Sequence, residues 1–329
     1  VSLLFSPLTL RSVTLPNRIA VSPMCQYSAT DGVPNEWHLV HLGSRAVGGA
    51  GLVIAEATAV EPRGRISAQD VGIWNDEQVA AWRRITAFIK EQGSVPGVQL
   101  AHAGRKAFGD WVPVAPTTEP FPGLNTPEKL TEHGSIVKAF VEGALRAVEA
   151  GFEVLEIHAA HGYLLHEYYS PLTNEGSIEE RIAVPVEVTA AVRAAVGPDV
   201  PVIVRISGTD WVEDGWTADD SVVLAQALKA AGADLIDVSS GGNTAQADIP
   251  IGPGYQVPLA EAVRRKADVP TGAVGLITEA NQAEQVLNDG SADLVLLARE
   301  LLRDPYWPLR AAQQLGVEVK APRQYARAF

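Results

Sequence analysis

The sequence predicts an α/β protein of the (β/α)8, or TIM-barrel, class, and three observations carry that reading. Eight short apolar runs recur along the 329 residues, each too continuously hydrophobic for a sheet with one wet face, as in strands covered on both sides. Amphipathic stretches of helical period separate the runs. No Gly/Ser- or Pro-rich linker divides the chain, and neither a GxGxxG turn nor a Walker loop follows an early run, which disfavours an open doubly wound sheet. Residues 1–329 therefore read as one barrel domain with a C-terminal tail.

Taken in order, the runs are Arg18–Ser22, Leu52–Thr58, Val95–His102, Val154–Ala159, Val202–Ser207, Leu235–Ser240, Ala273–Leu276 and Leu294–Ala298. The first helical stretch, Asp76–Gln92, spaces Val79, Trp82, Ile85 and Ile89 three or four residues apart. Thr126–Ala150, Ile178–Val196, Thr217–Ala231, Gln256–Ala267, Glu279–Asp289 and Pro305–Leu315 follow the same rule. Gly151, Gly197, Gly232 and Gly290 stop helices, and Thr217-Ala218-Asp219-Asp220 opens one. Gly232–Asp234 and Ser291–Asp293 punctuate two helix-to-strand returns in the same way.

Composition narrows the function. With 47% hydrophobic and 20% charged residues, the chain can bury a large core. No apolar stretch approaches the eighteen residues of a membrane span. A net charge of −13 argues against nucleic acid as a partner. One cysteine, Cys25, excludes a disulfide framework, a four-cysteine zinc site and a cysteine-ligated iron–sulfur cluster within one chain. Val1–Pro7 has neither the basic nor the long apolar region of a signal peptide, so the expected compartment is a reducing cytoplasm.

In a (β/α)8 barrel the chemistry sits at the C-terminal ends of the strands. Those ends read Ser22–Tyr27, Glu56–Thr58, Gln99–Lys106, His158–Tyr163, Arg205, Ser239–Gly242, Gly275 and Arg299. Polar and cationic groups converge there, and carboxylates look scarce. His158 and His161, three apart, would face opposite ways on a strand but share a face on a helical turn. Both can act together only if the chain leaves the strand near Ala159. A zinc pair would need His102 or Glu56 as a third ligand, and no HExxH pattern supports one; no metal is expected.

Together with Val274–Thr278 and Leu297–Trp307, the segments Ser22–Tyr27, Gln99–Lys106, His158–Pro171, Pro201–Ser207 and Asp237–Gly242 resemble the Old Yellow Enzyme family, most closely its bacterial Cys/Tyr branch of ene-reductases. The similarity spans essentially the whole chain. It implies an FMN-binding (β/α)8 barrel reduced by NADPH or NADH that passes hydride to α,β-unsaturated carbonyl compounds.

By that resemblance, Pro23, Met24, Cys25, Ala57, Gln99, Arg205, Gly275, Ala298 and Arg299 bind FMN. Gly275, Ala298 and Arg299 would hold its phosphate, and Arg205 would stabilise charge near N1 and C2. Tyr27, His158 and His161 would hold the substrate oxygen, Tyr163 would protonate Cα, and Cys25 would tune the flavin. Lys106 lies near the site with no settled role. The aromatic, cationic tail implies a homodimer or homotetramer with Arg327 reaching a neighbour's substrate pocket.

Two departures stand out. The family carries longer loops between the positions matching Ala107 and Trp111, and between those matching Glu175 and Gly176. Either the lids are trimmed or residues are missing between the joined positions. The second is expected, with Cα separations there well beyond the about 3.8 Å of a trans peptide. A metal-dependent barrel hydrolase using His158 and His161, and a non-catalytic flavin-binding barrel, are the alternatives.

Overall fold

The computed structural model describes residues 2–329. Eight parallel strands close into a barrel in sequence order: β1 (Ile19–Val21), β2 (Leu52–Ala59), β3 (Val95–Ala101), β4 (Val154–Ala159), β5 (Val202–Ser207), β6 (Leu235–Ser239), β7 (Thr271–Ala273) and β8 (Leu294–Leu297). The helices are α1 (Glu36–Val47), α2 (Asp76–Glu91), α3 (Gly134–Glu149), α4 (Leu164–Tyr169), α5 (Ile178–Val196), α6 (Ala218–Ala230), α7 (Val257–Ala267), α8 (Ala280–Asn288), α9 (Arg299–Arg303) and α10 (Trp307–Gln314).

Side chains alternate along each strand between the barrel interior and the helical layer. Leu155 and Ile157, Val202 and Val204, and Ile236 and Val238 join the large outer core, whereas Val154, Ile203 and Leu235 join a separate cluster with Leu52, Ile54 and Leu296. An N-terminal hairpin (Leu8–Leu10 paired with Val13–Leu15) adds Leu10 and Leu15 to that second cluster and so plugs the N-terminal end of the barrel. Two steps further along the same interior face, the residues are polar: Glu156 and His158, Arg205 and Ser207, Asp237 and Ser239.

The repeated Ala-Asp return has a physical reason. Asp234 Oδ2 accepts from Val202 N–H at 2.8 Å and from Arg193 of α5 at 2.6 Å. Asp293 Oδ2 accepts from Thr271 N–H at 3.0 Å and from Arg264 of α7 at 2.9 Å. Each carboxylate thus ties the start of the preceding strand to the helix that leads into that strand.

Several expectations are corrected. Thr126–Glu132 is not helical: Pro127 constrains the chain before it, and Glu128–Lys129 pair with Val114–Ala115, so α3 starts at Gly134. The seventh strand ends at Ala273, two residues short of Gly275, which lies in the following loop. α1, α4, α9 and the N-terminal hairpin were not anticipated. Local hydrogen bonds hold residues beside both short connections. Phe108 N–H donates to Ile66 O at 2.7 Å, and Ser177 N–H to Glu180 Oε2 at 2.7 Å.

Candidate active site

The mouth of the barrel is built around a buried cation. Arg205 Nε donates to Asp237 Oδ2 at 2.5 Å and lies 3.8 Å from Glu156 Oε2, while Nη2 donates to Ser22 Oγ at 2.6 Å. Parallel pairing sets this up, because Arg205 stands opposite His158 on one side and Asp237 on the other. Gln99 Nε2 donates to Glu156 Oε2 at 2.9 Å. Burial works against the guanidinium charge, but Asp237 and Glu156 outweigh it and hold Arg205 ionised. Burial pushes Glu156 well above the ordinary carboxylate range, and Asp237 adds to that. Glu156 and Asp237 are carboxylates that the sequence reading passed over, since a charge inside an apolar run does not say which face it takes. The i, i+2 spacing of Glu156 and His158 was the available signal.

β4 ends at Ala159, and His161 adopts φ +62, a left-handed turn. The turn brings the two imidazoles together, with ring centres 5.4 Å apart, as the spacing required. Gly162 (φ +76) makes the turn possible, since a Cβ there would sit 2.2 Å from Gly242 O. Burial pulls both imidazoles well below the usual histidine range; His161 and Arg205 reinforce this at His158, and Arg205 and Lys106 at His161. Both are therefore neutral and donate through one nitrogen each. His161 Nε2 lies 2.6 Å from Ser239 Oγ, and His158 Nδ1 is buried without a partner among the described residues. The Tyr163 ring centre is 5.1 Å from that of His158, and burial holds its phenol above the ordinary range.

Cys25 and Tyr163 pack on one small cluster with Ala57, Ala101 and Ala103. Burial, with Asp70 and Glu56, raises the Cys25 thiol above its ordinary range, so it stays protonated and is no nucleophile. Tyr27 is half-exposed at φ +50, its phenol pushed up to about 12 by burial and by Cys25. Pro23 and Met24 lead into this turn, and Met24 O accepts from Gln26 Nε2 at 2.8 Å. Glu56, bulged out of the β2–β3 pairing, accepts Gln26 N–H at 2.9 Å and so props the turn from below. The sequence reading had given Glu56 no such part.

On the far side, Gly275, Leu276, Thr278, Ala298 and Arg299 line a cavity of about 70 Å³. Gly275 has φ +115, and a Cβ there would lie 2.7 Å from Gln256 Nε2. Arg299 is exposed and has no carboxylate partner within ion-pair distance among the described residues. These residues fit FMN: an anion-sized cavity beside an uncommitted guanidinium, an alanine-lined floor, and a buried arginine–amide pair for the polar edge of the ring. Arg327 is exposed in the tail. Among the described residues no three His, Cys, Asp or Glu side chains stand together as metal ligands.

Barrel, mouth and phosphate cavity together define a flavin-dependent oxidoreductase. The profile of the NADH:flavin oxidoreductase / NADH oxidase family matches residues 3–318. The chain is 50% identical to an NADPH dehydrogenase of Geobacillus sp. (strain WCH70) over 339 aligned positions, covering 100% of this chain and 99% of that protein. A counterpart from Halalkalibacterium halodurans (strain ATCC BAA-125 / DSM 18197 / FERM 7344 / JCM 9153 / C-125) is 47% identical over 99% of this chain and 98% of its own. Morphinone reductase superposes with a TM-score of 0.83 at 29% identity, covering 98% of this chain and 91% of that one. The chain belongs to the NADH:flavin oxidoreductase / NADH oxidase family, in its Old Yellow Enzyme group, and is an FMN-dependent enzyme. That membership overturns the barrel-hydrolase alternative.

Proposed function

We propose that this enzyme reduces the activated C=C bond of α,β-unsaturated carbonyl compounds, with electrons from NADPH. The names of the bacterial relatives support NADPH over NADH as donor. FMN, when bound, supplies two-electron hydride transfer, accepted from the nicotinamide and delivered to the acceptor. Arg205 and Gln99 would hold the polar edge of its ring, with Ala57 and the Pro23–Cys25 turn beside the ring, while Gly275, Ala298 and Arg299 would hold its phosphate.

The protein's own part is to bind, orient and supply the proton. Hydride addition at Cβ moves negative charge onto the substrate oxygen, where N–H groups of His158 and His161 stabilise it as an oxyanion hole does. Tyr27 closes the other side of the pocket, and Cys25 sits as a neutral thiol beside the ring. Tyr163 then gives its proton to Cα. The observation that carries this reading is the pair of neutral imidazoles meeting 5.4 Å apart, with the Tyr163 ring 5.1 Å from one of them. As one barrel domain in the cytoplasm, the enzyme would work as a homodimer or homotetramer, with Arg327 lent to the neighbour's pocket.

Separate anaerobic half-reactions test the proposal. Tyr163→Phe should slow reoxidation by an enone about 100-fold or more, with flavin reduction by NADPH unchanged. Equal damage to both half-reactions removes Tyr163 as the acid. Replacing both His158 and His161 should weaken binding of phenols, whose oxyanions mimic the enolate; unchanged phenol affinity removes the histidines from that role.

A further inference from the structure

Lys106 is still without a task, and its setting is an unusual one for an ammonium. Nζ turns inward and donates to His161 O at 2.8 Å and to Gly242 O at 2.9 Å, joining the loops after β4 and β6. It also lies 4.9 Å from the ring centre of Tyr163 and 4.7 Å from that of Phe121. Two carbonyls suffice to fasten two loops, but the same cation also rests on the face of the phenol placed beside His158. A cation at that distance is attracted to the ring face, and more strongly once the phenol has lost its proton.

We infer that Lys106 is a positioning residue that holds Tyr163 in place and stabilises the negative charge left on its oxygen when it protonates the substrate. The inference rests on the proposed acid role of Tyr163. In that step the hydride brings two electrons to Cβ, and the former C=C pair forms the new C–H bond at Cα. The Tyr163 O–H bond breaks, and the phenolate is later reprotonated from water. Burial, Cys25, Tyr27 and Asp70 all hold the Tyr163 proton tightly, so a positive charge at its ring acts where the acid is weakest.

The groups around Lys106 set its working range. Burial lowers its pKa to about 8; Glu167 of α4 opposes that fall and Arg105 of its own turn adds to it. From the loop after β4, His161 and Tyr163 complete the titratable surroundings, with His158 behind them. Lys106 therefore keeps its charge at neutral pH and loses it as the pH rises through about 8.

The test uses the FMN-loaded enzyme in separate half-reactions. Lys106→Met should slow reoxidation by an enone about tenfold, the rate equivalent of one partly desolvated cation–π contact, and leave flavin reduction by NADPH unchanged. In a Tyr163→Phe background the same change should cost nothing further. Losses that multiply would show that Lys106 acts elsewhere and overturn the inference. The wild-type reoxidation rate should fall above about pH 8, and Lys106→Arg, which keeps its charge, should abolish that fall. A fall that survives in Lys106→Arg belongs to another group, with Glu56 also near 8, and overturns the inference even if the Met variant does not fold. Fluorotyrosine at position 163 gives a readout independent of turnover: its ¹⁹F shift should move through about pH 8 in the wild type and not in Lys106→Arg. If Tyr163→Phe leaves reoxidation intact, the acid role itself has failed, whereas a fluorine shift that stays flat in the wild type counts against Lys106 alone.

Discussion

The two ends of the barrel interior are built from the same eight strands and obey opposite rules. At the N-terminal end, Leu52, Val154, Ile203, Leu235 and Leu296 meet Leu10 and Leu15 of the hairpin, all almost wholly buried. At the C-terminal end the same face of the same strands carries Glu156, Arg205, Asp237, His158 and Ser239, buried as deeply. The lower layer gains from removing apolar area from water. The upper layer keeps polar and charged groups that are only partly paired: Glu156 Oε1, Asp237 Oδ1 and His158 Nδ1 have no partner among the described residues. Left-handed residues concentrate there too, at Tyr27, His161 and Leu276. One end stabilises the fold, and the other holds strain and unpaired polar atoms in the service of chemistry.

The sharpest way to break this contrast is at its central cation. Arg205→Met keeps the length of the side chain but leaves Asp237 and Glu156 buried without a positive charge. We expect loss of FMN, read from the ratio of visible to ultraviolet absorbance, and apoprotein destabilised by about 3–5 kcal/mol in denaturant melts. The deficit should shrink as the pH falls. The raised pKa of Glu156 means that the folded state binds more protons there than the unfolded chain, so its contribution is favourable at low pH and is lost as pH rises. A variant that stays yellow and equally stable would show that the mouth does not depend on Arg205.

The opposite end should respond in the opposite way. Leu15→Ala removes a fully buried plug residue, and truncations of this kind cost about 2–5 kcal/mol. The melting temperature should fall, while FMN content and the rate of flavin reduction, measured well below the transition, should not change. Kinetic damage equal to the loss of stability would mean that the two ends are not separable.

The contrast also explains what the sequence could tell. Continuous runs such as Val202–Ser207 show a strand, and β4 and β5 lie where their residues predicted. The histidine pair was legible because its spacing allowed cooperation only off the strand. The carboxylates were not, because the face a lone Glu or Asp takes depends on register with neighbours such as Arg205. α1 escaped because its buried side includes His38, His41 and Arg45, which break the apolar rhythm, with Gly43 in mid-helix. Thr271–Ala273 is a strand only by virtue of β6 and β8 on either side. The FMN role proposed for Gly275, Ala298 and Arg299 came from the resemblance and from their place after the seventh and eighth strands.

The smallest expected effect on the fold lies at the tail, which belongs to neither end of the barrel. Arg323–Tyr325 form a single 3-10 turn, and Tyr325 meets Tyr306 edge-on with ring centres 5.7 Å apart. Tyr325 and Phe329 remain substantially exposed, which is apolar surface that a second chain could cover. Chain ends commonly fray and tolerate truncation, so deleting Ala326–Phe329 should leave the melting temperature and FMN content of the subunit nearly intact. If Arg327 serves a neighbouring pocket, the same deletion should raise the KM for the enone and shift the mass in solution toward the monomer, with flavin reduction preserved. Unchanged enone kinetics together with an unchanged mass would confine the site to one barrel. A lower melting temperature at unchanged mass would instead place the tail with the hairpin plug, as part of what holds the subunit together.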